Sequence, residues 1–380
     1  MGSKYLAVVI LTVSFLLTSF RAAEKVEAPM NPQSPQQQIL DGIIQVADPP
    51  NNEYWPRAAY SSAKDQYLVV FYSHTDDGDI LGRYVDATTG EPLGDIINIT
   101  SSSAKAYSPD VVYDPNNKRF LVVWEKYLCR MVGDEEKCNY AIFGRLLHAA
   151  YSDSSPFAGS EIIVAHEHNV IDLHKPRAAF NEDENQYMVV FERGSNGVHG
   201  QMLAAHSSAP SPLYPTYGFY IRAYYDGSDA NDPDAAWGRE TDTFLVVWGN
   251  VKTPYSDGTI QAKHLHDTYQ AGSQFAGSEF TVAPYLDGDD PLSNHCSNPV
   301  VSYDPINRHY VVLFSHYDSV SPYSTKTIHA QRITRTYYPS SRKGWAFPVE
   351  TRKDDQNASH YFMDIDYSGS GEVMQVAYTS

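Results

Sequence analysis

Positive charge is what this chain of 380 residues has least of. Lys and Arg number 28 against 46 Asp and Glu, a formal charge of −18. No broad cationic footprint can be assembled from so few basic residues, which argues against nucleic acid or an anionic membrane surface as a partner. Several chemistries lack their signatures as well. There is no Cys-x-x-Cys-His for covalent haem, no Gly-rich phosphate loop, no His-Glu-x-x-His and no Gly-x-Ser-x-Gly. Beyond residue 20 no apolar run is long enough to span a bilayer. Yet 42% hydrophobic and 13% aromatic residues, with only 19% charged, describe a folding chain and not an acidic disordered tail. Tyrosine is in surplus: its 29 residues outnumber Phe and Trp together, which suits half-buried strands and loop rims better than helices.

The first 23 residues read as a signal peptide. Lys4 supplies the positive start, residues 6–20 an apolar stretch broken only by Thr and Ser, and Ala22-Ala23 a small-residue cleavage zone. A membrane anchor needs about 20 apolar residues, and this run is shorter. The expected destination is extracellular or periplasmic. Loss of Lys4 and Arg21 would take the charge from −18 to −20. Residues 24–41, with Pro29, Pro32, Pro35 and three consecutive Gln, read as a flexible lead.

Internal repetition decides the fold class. A proline is followed, four residues on, by an aromatic, then a turn, then an apolar run ending in a second aromatic. The copies begin at Pro56, Pro109, Pro176, Pro233 and Pro299. Their first aromatics are Tyr60, Tyr113, Phe180, Trp237 and Tyr303, and their second are Phe71, Trp124, Phe191, Trp248 and Phe314. A sixth copy has Met363 in place of proline and keeps Tyr367 and Tyr378. In all six the two aromatics are 11 residues apart. A second half follows in five copies. It opens on Ile80-Leu81-Gly82-Arg83, Ile142-Phe143-Gly144-Arg145, Val198-His199-Gly200-Gln201, Ile260-Gln261-Ala262-Lys263 or Ile328-His329-Ala330-Gln331, and closes on a short β-prone segment.

Four strands per unit, with turn formers between them, define a β-propeller blade. Unbroken runs such as Leu121-Val122-Val123-Trp124 fit sheets buried on both faces. Six first halves and five second halves imply a six-bladed propeller over residues 42–380. The orphan apolar segment 42–47 is expected to join the last blade and close the ring. The unit resembles the β-propeller repeats common in secreted bacterial proteins. That resemblance implies a fold and carries no catalytic residues with it. Trp-Asp repeats, Gly-Gly kelch pairs, Ser-x-Asp-x-Gly-x-x-Trp boxes and Asp-x-Asp-x-Asp-Gly calcium loops are all missing.

Function is expected on the face that carries the long connections, residues 72–79, 125–141, 192–197, 249–259 and 315–327 together with the inter-blade segments. Carboxylates crowd them: Asp76, Asp77 and Asp79; Asp226, Asp229 and Asp232; Asp287, Asp289 and Asp290. Solvated turns, a calcium site with Asp287, Asp289 and Asp290 as first ligands, and acid–base chemistry all remain open. Glu125 and Glu192 follow the second strand at equivalent repeat positions, so they could flank a groove as the carboxylate pair that glycoside hydrolysis requires; repeat equivalence explains them more simply. His166, His168 and His174 share one segment and offer imidazoles to a transition metal, against a reading as surface histidines. The residue after each repeat proline gives Arg57, Asp110, Arg177, Asp234 and Val300, with Asp364 in the sixth copy. This alternation fits a ring of ion pairs or a polar ligand site at the channel mouth. Cys129 and Cys138 are expected to pair, leaving Cys296 free or intermolecular. The sequence therefore points to a secreted or cell-surface binding or scaffold module for a protein or glycan. The alternative is an extracellular carbohydrate-active hydrolase or lyase with a carboxylate site on the loop-rich face.

Overall fold

The computed structural model is all-β. It describes residues 11–13, 46, 53–74, 78–100, 105–151, 155–167, 171–194, 197–206, 209–213, 218–222, 228–252, 257–268, 274–283, 294–318, 325–334, 342–353, 363–367 and 374–378. After β1 (Leu11–Val13), the first blade comprises β2 (Glu53–Ser61), β3 (Gln66–Ser73), β4 (Asp79–Asp86) and β5 (Pro92–Asn98), paired in that order. Blade two is β6 (Ala106–Asp114), β7 (Arg119–Val132), β8 (Glu135–His148) and β9 (Ile162–Ala165). Blade three is β10 (Leu173–Asn181), β11 (Gln186–Arg193) and β12 (Gly197–Ala204), with β13 (Ser211–Pro212) and β14 (Phe219–Arg222) both on β12. Blade four is β15 (Ser228–Gly238), β16 (Thr243–Lys252), β17 (Asp257–His266) and β18 (Phe280–Ala283). Blade five is β19 (Asn294–Asp304), β20 (His309–Asp318), β21 (Thr325–Ile333) and β22 (Arg342–Lys353). Finally β23 (Met363–Tyr367) and β24 (Met374–Tyr378) form a three-stranded sheet in the order β1-β24-β23. The first strands touch one another in sequence around a central axis, and β23 returns to β2.

The molecule is a β-propeller, with a correction to its expected anatomy. Among the described residues five blades have a full set of strands, and the sixth copy contributes β23 and β24 to a three-stranded sheet. Among the described residues the segment joined to β24 is Leu11–Val13, inside the expected leader. Bare strand edges pair with any extended apolar segment in reach, and the leader supplies one. Of residues 42–47 only Val46 is described. It is 1% exposed and packs on Tyr67, Val69, Phe71 and Val85 of blade one.

Local chemistry explains the repeat. The residue before each repeat proline has positive φ: Trp55, Ser108, Lys175, Asp232 and Asn298 at 54°, 51°, 49°, 49° and 51°. At each of these points the first strand shifts register against the second, a β-bulge. Proline, which has no N–H, is tolerated in a strand at such a bulge. The turn after the first strand is tied by its opening side chain. Asp114 accepts from the Asn117 N–H at 2.9 Å, and Asp304 from the Asn307 N–H at 2.9 Å. The motif glycine exists because the outermost strand lies close: a Cβ at Gly82 would stand 2.8 Å from the Ile99 Cδ1, and one at Gly200 2.8 Å from the Phe219 ring. The motif cation reaches the preceding blade. Arg145 donates to the Ile99 carbonyl at 2.9 Å, Lys263 to that of Ile221 at 3.4 Å, and Arg83 to that of Val46 at 2.9 Å. Val46 thus holds, relative to blade one, the place that Ile99 holds relative to blade two.

Three connections expected as loops are hairpins. Residues 125–141 are mostly the paired ends of β7 and β8, and β16–β17 and β20–β21 likewise extend past the blades. The β7–β8 arm carries the Cys129–Cys138 disulfide, with the two cysteines directly opposite in register. Cys296 is a free, buried cysteine on β19 and not a loop residue, 2% exposed, its thiol pushed up to about 12 by burial.

Candidate functional site

The bulges open at one end of the first strands, the turns at the other, so the channel has two different mouths. The upper one, at the prolines, is a cavity of about 90 Å³ lined by Trp55, Arg57, Lys175, Arg177, Asp232 and Asn298 among others. The lower one, at the turns, is about 340 Å³. Between them lie the residues that follow the prolines. Arg57 Nε stands 3.7 Å from Asp110 Oδ1, an ion pair with both side chains buried. The other Asp110 oxygen accepts the Ala178 N–H of blade three at 2.7 Å. Asp234 repeats the contact one step on, accepting the Val301 N–H of blade five at 2.7 Å. Each aspartate therefore pins the first strand of the following blade. The Asp234 carboxyl is pushed up to about 7 by desolvation and by the Asp110 charge, against the pull of Arg177. Arg57 and Arg177 donate to the carbonyls of their own prolines, Pro56 and Pro176. Val300 is buried, and Asp364 lies on β23 opposite Ala377.

Glu125 and Glu192 have the same task in successive blades. Glu125 accepts the Lys175 N–H at 2.8 Å and faces His174 Nδ1 at 3.1 Å. Glu192 accepts the Asp232 N–H at 2.7 Å. Each carboxylate thus satisfies the N–H of the bulge residue in the next blade, a position whose strained backbone frees that donor from its own ladder. The hydrogen bond to Glu125 raises the His174 pKa. Lys175 Nζ bridges Glu192 at 3.0 Å and Asp232 at 2.8 Å. Burial works against the Lys175 charge, but the two carboxylates outweigh it and its pKa is raised; burial keeps that of Glu192 raised. The two glutamates are clamps between blades.

Other candidates separate. Asp79 accepts from Thr100 Oγ1 at 3.0 Å and caps the end of β4. Asp229 opens β15 opposite Val251. Asp76, Asp77, Asp226, Asp287, Asp289, Asp290 and His168 lie outside the described residues, so the calcium ligands fall there. His174 is engaged with Glu125 and is not joined to His166 in a ligand set. Among the described residues one group of three ligating side chains converges, Cys129, Glu136 and Cys138, and its sulfurs are spent in the disulfide.

An aromatic belt is the feature that the repeat pattern conceals. On the upper face Tyr54 and Trp55 meet Tyr72 at 6.2 and 5.3 Å between ring centres. Tyr72 meets Tyr107 at 5.1 Å, Tyr107 meets Tyr140 at 6.1 Å, and Tyr140 touches both Tyr127 and His174, at 5.3 and 5.1 Å. The belt crosses blades one and two and ends beside Lys175 at the upper mouth. Tyr54 and Tyr127 are 43% and 41% exposed; Trp55, Tyr107 and Tyr140 are half-buried. A signal for it existed. Two residues before the repeat proline stand Tyr54, Tyr107 and His174, where the later blades have Asn231 and Ser297.

No family model matches the chain, and no curated protein matches it in sequence. Solved structures do match. The chain is similar to an exo-1,5-alpha-L-arabinanase from a bovine ruminal metagenomic library, at 12% identity over 79% of this chain and 98% of that one, TM-score 0.43. It is similar to an endo-arabinase from Bacteroides thetaiotaomicron, at 11% identity over 76% and 95%, TM-score 0.40. It is also similar to the NanB sialidase from Streptococcus pneumoniae, at 8% identity over 87% and 68%, TM-score 0.50. At such identities the likeness is one of fold. The chain is a β-propeller, and its chemistry has to be read from its own residues. No helix among the described residues is long and apolar enough to cross a membrane.

Proposed function

We propose that this chain is a secreted β-propeller that binds glycan on its upper face, the rings from Tyr54 to Tyr140 forming the platform. The single observation that carries this reading is the contiguous, partly exposed aromatic belt. A sugar ring has a C–H face that stacks on flat aromatic surface and a hydroxyl edge that meets polar groups at its rim. Tyrosine suits this because it offers a large rigid face and a polar tip with little entropy to lose. A patch of this extent on a face otherwise rich in charge marks an interaction surface. The leader-like residues 1–23 and the disulfide of the β7–β8 arm support an extracellular location. The hydrolase or lyase reading rests on one arrangement, Asp234 held near neutrality beside Asp110, since a pair of unlike carboxyls suits acid–base chemistry.

A glycan array followed by calorimetry tests the platform. A retained oligosaccharide should lose about 2- to 12-fold in affinity with Tyr107→Ala and again with Tyr140→Ala, as aromatic contacts worth about 0.5–1.5 kcal/mol are removed. Equal binding by the double variant, or no glycan retained, would sink the proposal. Turnover of a polysaccharide that Asp234→Asn abolishes would replace it with the hydrolase reading.

A further inference from the structure

The lower mouth differs from the upper in what it offers. Its cavity of about 340 Å³ falls within the size range of small-molecule sites. The first aromatic of each of five repeats lines it: Tyr60, Tyr113, Phe180, Trp237 and Tyr303. Each comes from the lower end of a first strand, so the blade arrangement sets the rings around the channel axis. Four are braced by the aromatic that opens the second strand of the same blade. The ring centres lie 5.2 Å apart for Tyr60–Tyr67, 5.3 Å for Tyr113–Phe120, 4.9 Å for Phe180–Tyr187 and 5.0 Å for Tyr303–Tyr310.

Two of these rings have their hydroxyls engaged. Tyr60 Oη donates to Asp65 at 2.8 Å and Tyr303 Oη to Glu240 at 2.6 Å. Tyr113 Oη and Trp237 Nε1 are buried out of reach of solvent. The lining mixes these rings with carboxylates and the hydroxyls of Ser62 and Ser302. Of its carboxylates, Asp110 is paired with Arg57 and Glu182 with Arg239, and Arg177 acts on Asp234, while Glu240 accepts from the Tyr303 hydroxyl. These carboxylates do not converge as a metal site requires; none belongs to a group of three ligating atoms within 4.8 Å of one another among the described residues. A carboxylate such as Glu240 beside an aromatic lining suits a large, weakly hydrated cation held by ring quadrupoles. The protein already uses the site this way: the Arg239 guanidinium sits 5.7 Å from the centre of the Trp237 ring, paired with Glu182.

We propose that the lower mouth of the channel is a site for an alkylated ammonium ion, bound by the five repeat aromatics beside the Glu240 carboxylate. The site is independent of the glycan platform, which lies at the other mouth.

Calorimetric titration of the full chain with choline chloride, at ionic strength matched with sodium chloride, tests it. The probe's uncharged isostere, 3,3-dimethylbutanol, is titrated alongside. Saturable choline binding is expected, with the isostere binding at least about tenfold more weakly, because the charge supplies the attraction. Trp237→Ala should weaken choline at least about fivefold and Glu240→Gln a smaller amount, while Arg239→Ala, which removes the resident cation from an exposed position, should tighten it. Melting curves of the variants confirm folding. Absence of saturation by 100 mM choline (roughly the weakest useful affinity), equal binding of the isostere, or weaker binding by a folded Arg239→Ala variant would overturn the proposal.

Discussion

Asp234 shows how one residue in this channel ties geometry to energy. Its carboxylate pins blade five through the Val301 N–H, yet its pKa stands at about 7, pushed up by desolvation first and by Asp110 second. An acid whose folded pKa lies above its unfolded one favours the native state when protonated. That contribution is complete below the unfolded value near 3.9 and is lost as pH rises to about 7. The wild-type protein should therefore lose on the order of a few kcal/mol from this group between pH 4 and 7. Asp234→Asn keeps an acceptor for Val301 and has no proton to lose. Its melting temperature, measured from pH 4 to 8, should overtake that of the wild type as pH rises and hold a constant lead above 7. Parallel curves for the two proteins would show that Asp234 is ionised throughout. Glu125 and Glu192 accept from backbone N–H groups at strained bulges, which fixes them as clamps between blades.

Among the elements, the β7–β8 arm is the one that outgrows its blade. Cys129 and Cys138 face each other across it, below a turn in which Gly133 takes φ 65°. Closing so short a loop stabilises by about 2–3 kcal/mol in the chain-entropy model. At the arm's tip Met131 is 65% exposed. Replacing both cysteines by Ser should then loosen the arm alone. Limited proteolysis should cut near residues 130–137 at least several-fold faster, while the main melting transition moves little. A large fall in that transition would mean that the arm holds the ring together. The arm also carries Tyr127 and Tyr140, so the same variant should weaken any ligand of the upper face.

For the molecule as a whole the question is how the ring closes. β23 and β24 complete the circle between β19 and β2, and Val46 covers the face of blade one beyond them. Deleting residues 363–380 exposes two broad blade faces. Each large apolar side chain so bared costs about 1.5–3 kcal/mol, and a few of them rival the roughly 5–15 kcal/mol of a folded domain. The truncated chain should be insoluble or unfold cooperatively at much lower temperature. Val46→Asp tests closure by the segment around it, since it buries a charge against Tyr67 and Phe71; a matched Ile96→Asp, at an exposed position, serves as control. Val46→Asp should melt several degrees lower than the control. If the two melt alike, the segment around residue 46 has no part in holding the ring.

Much of this was legible in the residues. Spacing of Pro, aromatic and apolar run determined the strands, their order within a blade and the burial of both sheet faces, because a period kept over six copies admits few packings. Asp114 and Asp304 announced their turns, and Cys129 and Cys138 their bond. The number of complete blades was not legible, since strand halves can be counted in the sequence but edge pairing depends on which segments lie within reach. Nor were the two mouths of the channel. Tyr54, Tyr72, Tyr107 and Tyr140 lie far apart along the chain and become a belt only when the bulges set adjacent blade ends side by side. Tyr60, Tyr113, Phe180, Trp237 and Tyr303 mark the repeat as separate core residues, and closing the strands around an axis turns them into the lining of one cavity. Local spacing determines local structure through steric and hydrogen-bonding rules that act within a few residues. Sites built from one residue per blade depend on curvature and closure, which only the packed sheets decide.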